Sequence, residues 1–258
     1  MLSRRHFLEG LAGIAVLGAG GVPALAKETP PDHARITRLI GEAHELPTIS
    51  QRIDLISRKL IGSRYRGYTL IGGPRKAEQF VTRDDVFDCV TYCETVLAAA
   101  MARTPERYET ALRQIRYHHG VVEWRARNHY FAEWCANNIA GGFCRAVALP
   151  GAETRTKTIS YMRAYGARPV HLDVVPRASL IDNRQLLATG DIIGFLSRRP
   201  GVDYFHTGFV IVAPDGALRL RHAAQSQRRV LDEPMARFLA ANRVGAVTVL
   251  RAREAAAG

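Results

Sequence analysis

Long apolar runs, paired metal-ligand motifs and lysine are all scarce in this 258-residue chain. No segment after residue 26 is apolar and long enough to span a bilayer, so no stable membrane insertion is expected of the mature protein. No C-x-x-C or H-x-x-x-H pair occurs, and His118, His119, His129, His206 and His222 do not recur at finger-like spacing; no metal site is expected. Lysine stands only at 27, 59, 76 and 157, so the formal charge of +12 rests almost wholly on arginine. Those arginines are scattered, without a basic block or interleaved aromatics, which argues against nucleic acid as a partner. A solvated basic surface and a carboxylate-bearing substrate both fit such a balance. Internal repeats and low-complexity runs are absent as well.

What is present begins with Ser3-Arg4-Arg5-His6-Phe7-Leu8, an apolar, glycine-rich run over residues 10–22, and the small-residue site Ala24-Leu25-Ala26. This has the form of a secretory signal of twin-arginine type, although Glu9 is unusual at its place. Residues 1–26 are therefore expected to be a signal peptide, with no cysteine after it for a lipid anchor, and residues 27–258 a single domain in the periplasm or otherwise exported. Four cysteines would then meet an oxidising compartment. The glycines and asparagines between Cys135 and Cys144 leave their pairing open, whereas Cys93 is oddly placed for a structural bridge.

The chain reads as helices first and strands last. Ser50 is the expected cap of a helix bearing Ile53, Ile56 and Leu60 and ending at Gly62. The Gly- and Tyr-rich residues 62–74 read as a loop, and Pro105 opens a helix with Tyr108, Leu112 and Ile115 on one face. Residues 127–134, with Arg127, His129 and Tyr130, suggest a further helix dense in groups that can hold a polar ligand. Residues 142–187 show no clear pattern. Short strands follow over residues 191–196, 206–212, 217–222 and 246–250, with a helix after Pro234.

Two of these pieces carry chemistry. In Val86-Phe87-Asp88-Cys89-Val90-Thr91-Tyr92-Cys93-Glu94, Asp88 is a favoured N-cap and the apolar residues after it recur at helical spacing, which puts Cys89 in the first turn. Unsatisfied N–H groups there favour thiolate over thiol, and the Cys89 N–H is a candidate oxyanion donor. The second piece is a hairpin around Pro214-Asp215-Gly216. With these three residues as its loop, Gly208 faces His222, and His206 and His222 become diagonal neighbours on one face. A two-residue loop would put them on opposite faces. His206 then suits a base for Cys89, His222 the group that orients it, and Gly208 leaves room for substrate.

Phe87-Asp88-Cys89-Val90-Thr91-Tyr92-Cys93-Glu94, with the Tyr-bearing loop before it and Arg127-Asn128-His129-Tyr130-Phe131, His206-Thr207-Gly208-Phe209 and Arg221-His222-Ala223 after it, is similar to an N-acetylmuramoyl-L-alanine amidase-like family. That family falls within the NlpC-type papain-like cysteine peptidases. The resemblance implies an α+β papain-like fold, with the nucleophile helix packed on an antiparallel sheet and extra helices around it. It implies a peptidoglycan or muropeptide substrate, Cys89 as nucleophile, His206 as base, His222 as third member, and Tyr65 or Tyr68 near the sulfur. Ala224 and Cys93 depart from the family's usual residues. Asp88, Arg127 and Tyr130 are further substrate-binding candidates, Arg127 for stem-peptide carboxylates. No cofactor is required. A γ-D-glutamyl-diamino acid endopeptidase, a non-catalytic cell-wall binding module and a Cys89–Cys93 redox protein stay open as alternatives.

Overall fold

Apolar positions three and four apart wind the first half of the chain into helices that cover one face of a sheet made mostly by the second half. The computed structural model describes residues 33–254, so the expected signal and its cleavage site lie outside the described residues. Helices α1 (Ala34–Ala43) and α2 (Ile49–Lys59) come first. Thr48, not Ser50, caps α2: its hydroxyl accepts from the Gln51 N–H, and the Gln51 side chain accepts from the Thr48 N–H. The Ser50 hydroxyl instead donates to the carbonyl of Thr189 at 2.5 Å.

Residues 62–74, expected as loop, contribute β1 (Arg64–Tyr65) and β2 (Ile71–Gly73), the latter paired with β3 (Lys76–Gln79); β4 (Val86–Phe87) then leads into α3 (Cys89–Ala102). Helix α3 has no solvent face to speak of. Every residue from Thr91 to Ala102 is buried, because α2 and α4 (Pro105–Arg116) flank it and the sheet lies beneath. The apolar stripe read from its sequence was therefore only part of a helix that is buried all round. Residues 127–130 are not helical, and α5 (Phe131–Ala140) starts later than expected. At its start the Tyr130 N–H donates to the local Glu133, but the Ala132 N–H donates to Asp203 at 2.7 Å, an acceptor that no local reading of residues 127–134 would pick out.

The segment read as patternless holds β5 (Cys144–Ala146), a long hairpin of β6 (Glu153–Ile159) and β7 (Arg168–Pro176), and α6 (Arg177–Asp182). The hairpin was hidden by exposure: most β6 side chains face water, so its alternation is polar against polar. Then come β8 (Ile192–Leu196), β9 (Tyr204–Val212), β10 (Leu218–Ala224), β11 (Arg229–Pro234), α7 (Met235–Ala241) and β12 (Ala246–Ala252). The sheet order is β4-β1-β11-β10-β9-β8-β12-β7-β6, with β5 also on β12; β1 and β4 run parallel and the other pairings are antiparallel.

Period-two alternation in β9 sends its side chains to two cores. Phe209 and Ile211 pack toward α3, where the Phe209 ring meets Tyr92 edge-on at 5.8 Å. Val210, together with Phe195 and Leu220, faces the opposite way, under Phe238 of α7. The β9–β10 register is that of a three-residue loop, since Val212 faces Leu218 and the Ala213 N–H donates to Ala217. Cys89, Cys93, Cys135 and Cys144 are all free thiols.

One buried ion pair ties α3 to α4. Arg116 donates to Glu94 at 2.7 Å and to the Val81 carbonyl at 2.6 Å, and both side chains are almost wholly buried. Removing the carboxylate strands a guanidinium away from water. Glu94→Ala is accordingly expected to lower unfolding free energy by about 3–5 kcal/mol, and Glu94→Leu combined with Arg116→Met to recover most of it. Urea denaturation checks this; a loss for the single variant no larger than that of an exposed pair would show that the contact does not hold the two helices.

Candidate active site

Asp88 closes the start of α3 as its spacing foretold. One carboxylate oxygen accepts from the N–H groups of Val90 (3.0 Å) and Thr91 (2.8 Å) and from the Thr91 hydroxyl (2.9 Å), while the Asp88 N–H donates to that hydroxyl. These bonds commit one carboxylate oxygen to the cap, and Asp88 is not among the residues that line the neighbouring cleft. The next residue, Cys89, is half-buried at the floor of a cleft of about 200 Å³. Val90, His129, Tyr130, Phe131, Tyr161, Asp203, Tyr204, Phe205, His206 and Thr207 also line it.

His206 and His222 stand on adjacent strands and one sheet face. The register that places Gly208 opposite His222 leaves them diagonal, and His206 Nε2 lies 2.5 Å from His222 Nδ1 with the rings nearly perpendicular. His222 Nε2 in turn lies 2.9 Å from Glu233 Oε1 on β11. Phe238 packs on both imidazoles. Gly208 permits this close approach: a Cβ there would sit 2.8 Å from the Arg221 carbonyl and from His222 Cβ, and Gly208 is not among the residues lining the cleft.

The protonation states differ from the sequence expectation. The N–H groups of Thr207, Cys89 and Val90 do favour the thiolate, but burial outweighs them, followed by the nearby Asp88 carboxylate, and the Cys89 thiol is pushed up to about 12. His206 moves the other way, to about 3, because burial and then His222 oppose its positive charge. Burial also lowers His222, against the pull of Glu233. Both shifts favour the uncharged forms, a thiol on Cys89 and a neutral imidazole on His206.

The remaining candidates divide. Tyr65 lies close enough to Cys89 and Asp88 for their charges to bear on its hydroxyl, which burial chiefly raises to about 12. Parallel pairing of Tyr65 with Phe87 puts it there. Tyr68 is exposed, in the left-handed region at φ 58°, and its hydroxyl is raised chiefly by the neighbouring Tyr161 of the cleft wall. Tyr130 lines the cleft, but its hydroxyl accepts from the Met162 N–H at 2.8 Å. Arg127 is not among the residues lining the Cys89 cleft: Glu78 holds one of its guanidinium nitrogens at 3.0 Å and also accepts from the Tyr117 hydroxyl, and Arg127 borders a separate cavity with Asn128 and Tyr165. Sequence reasoning missed Glu233, Asp203 and Tyr161. Tyr161 lies in the patternless stretch, and Glu233 becomes legible only with the β10–β11 register, where His222 faces Leu231.

A neutral resting pair has a kinetic signature. Between pH 5 and 8, the rate of Cys89 alkylation by iodoacetamide is expected to climb steadily with pH, since thiolate remains a minor form throughout. A plateau reached below pH 6 would instead reveal a preformed thiolate–imidazolium pair.

The chain matches the AmiA-like, or N-acetylmuramoyl-L-alanine amidase-like, family over residues 55–247. It is similar to a solved N-acetylmuramoyl-L-alanine amidase from Bacteroides uniformis ATCC 8492, at 26% identity and a TM-score of 0.68, over 77% of this chain and 96% of that one. A Legionella pneumophila str. Philadelphia 1 protein shares the fold at 21% identity and a TM-score of 0.74, over 85% of this chain and 93% of its own. Among curated proteins none is similar. With a family match covering most of its length, the chain belongs to the N-acetylmuramoyl-L-alanine amidase-like family.

Proposed function

We propose that this protein is an exported, cysteine-dependent amidase that hydrolyses the bond between the lactyl group of N-acetylmuramic acid and L-alanine in peptidoglycan or muropeptides. The observation that carries the reading is the convergence of Cys89 and His206 on one cleft, with His222 behind His206, in a chain of the amidase-like family. A papain-like, NlpC-type arrangement is supported by the packing of α3 on the antiparallel strands that bear both histidines. Export rests on the twin-arginine segment and the Ala24-Leu25-Ala26 site.

The chemistry follows from the geometry. Because His206 Nε2 is engaged with His222, Nδ1 is the ring nitrogen left for the thiol proton. Sulfur attacks the lactyl carbonyl carbon as His206 takes that proton, and the oxygen that gains charge meets the Cys89 N–H at the helix start. The C–N bond breaks, the imidazolium returns its proton to the departing alanine amine, and a thioester remains on Cys89. Water, deprotonated by His206, then releases the muramoyl carboxylate and restores the thiol. Burial suits this sequence, since neither partner must first be discharged.

Mass spectrometry of a disaccharide-tetrapeptide muropeptide incubated with the protein, and with Cys89→Ala beside it, tests the reading. Free disaccharide and intact tetrapeptide from the wild type alone are expected. A disaccharide retaining L-Ala-D-Glu would mean a γ-D-glutamyl-diamino acid endopeptidase, and binding without cleavage by either protein would mean a wall-binding module.

A further inference from the structure

We propose that Glu233 is a positioning residue that sets the direction of the whole imidazole chain, so that His206 presents a lone pair and not a proton to Cys89. The inference rests on the amidase reading for its consequence but on strand geometry for its substance. His206, His222 and Glu233 come from three neighbouring strands. Gly208 is opposite His222 and Leu231 is opposite His222 from the other side, so His206 and Glu233, each two residues further along, are its diagonal neighbours on one face. His206 Nε2 and His222 Nδ1 are hydrogen-bonded at 2.5 Å, whereas Glu233 Oε1 lies 2.9 Å from His222 Nε2 without lying along the ring N–H direction, and that nitrogen has no other partner among the described residues.

A pair of neutral imidazoles joined Nε2 to Nδ1 has two states. In one, His206 Nε2–H donates to His222 Nδ1, and His206 Nδ1 is a bare acceptor. In the other, His222 Nδ1–H donates to His206 Nε2, and His206 carries its proton on Nδ1, where it cannot accept the thiol proton. Each histidine carries one proton in either state, and nothing within the pair favours the productive one. Glu233 breaks the tie. A carboxylate is an acceptor only, so at 2.9 Å its charge favours the His222 tautomer protonated on Nε2; Nδ1 is then the acceptor, His206 donates from Nε2, and Nδ1 of His206 is left as base.

The groups facing His222 are His206 from β9, Glu233 and the more distant Asp232 from β11, and Phe238 from α7. Glu233 is the carboxylate in contact with it. Its side chain is a quarter exposed and borders a cavity of about 270 Å³ with Ser226, Gln227 and Arg237, so replacing it does not open the core.

The test reads tautomers directly by ¹⁵N-correlated NMR of the histidine rings in the resting protein near neutral pH. Both His206 and His222 are expected as Nε2–H tautomers in the wild type. Glu233→Leu is expected to show His206 in mixed tautomers and to lose about 10- to 100-fold in kcat with KM nearly unchanged; Glu233→Gln keeps an acceptor oxygen and is expected to retain the wild-type tautomers. An Nδ1–H tautomer at His206 in the wild type would overturn the proposal, as would Glu233→Leu with wild-type tautomers. If the wild type cleaves no muropeptide, the amidase reading fails while the tautomer measurement still decides the role of Glu233.

Discussion

The site depends on a buried helix being allowed to begin where it does. A helix start carries N–H groups without partners, and burying them unpaired is costly. Asp88 takes those of Val90 and Thr91, so α3 can begin between the sheet and its flanking helices with its first turn at the floor of the cleft. Everything the chemistry needs is placed relative to that turn. The two residues before Asp88 form β4, whose parallel pairing with β1 brings Tyr65 to the sulfur, and the Thr207 N–H reaches Cys89 from β9. His206 is the residue next to Thr207, and the hairpin register then delivers His222.

Burial that positions these groups also sets their charge. A helix start and three backbone N–H groups favour thiolate, yet desolvation of the sulfur exceeds them, and the same desolvation keeps His206 neutral. The two shifts act together. A neutral thiol needs a base that is unprotonated at working pH, and a buried imidazole pushed far below its ordinary value is one. In the proposed reaction the cost of creating charge is met at the transition state, where the developing oxyanion and imidazolium stabilise each other.

The amino-acid sequence made the line from Cys89 to His222 legible where local rules govern and hid its continuation where register or distant contacts do. Asp88 and Cys89 follow from capping and helical spacing, and the His206–His222 pairing follows once Pro214-Asp215-Gly216 is given three loop residues. Glu233 lies on a strand whose pairing no turn motif announces. Strand β6 escaped because its side chains are nearly all polar and exposed on both faces, and without it the alternation of Val170, Leu172 and Val174 in β7 had no partner to make a hairpin. The Arg127–Glu78 pair was equally hidden, because the two residues are forty-nine apart. The cap of α2 was assigned two residues late: Thr48 and Ser50 are both favoured cap residues, and Gln51, three residues after Thr48, completes the box only for the former.

Central to this account is a covalent bond between Cys89 and the muramoyl lactyl group. Acid quenching of the wild type during turnover of a disaccharide-tetrapeptide muropeptide, followed by peptide mass mapping, observes that bond directly. The account predicts a Cys89 peptide heavier by the disaccharide less one water, labile to hydroxylamine. Turnover with no adduct at Cys89, and undiminished in Cys89→Ala, would contradict it.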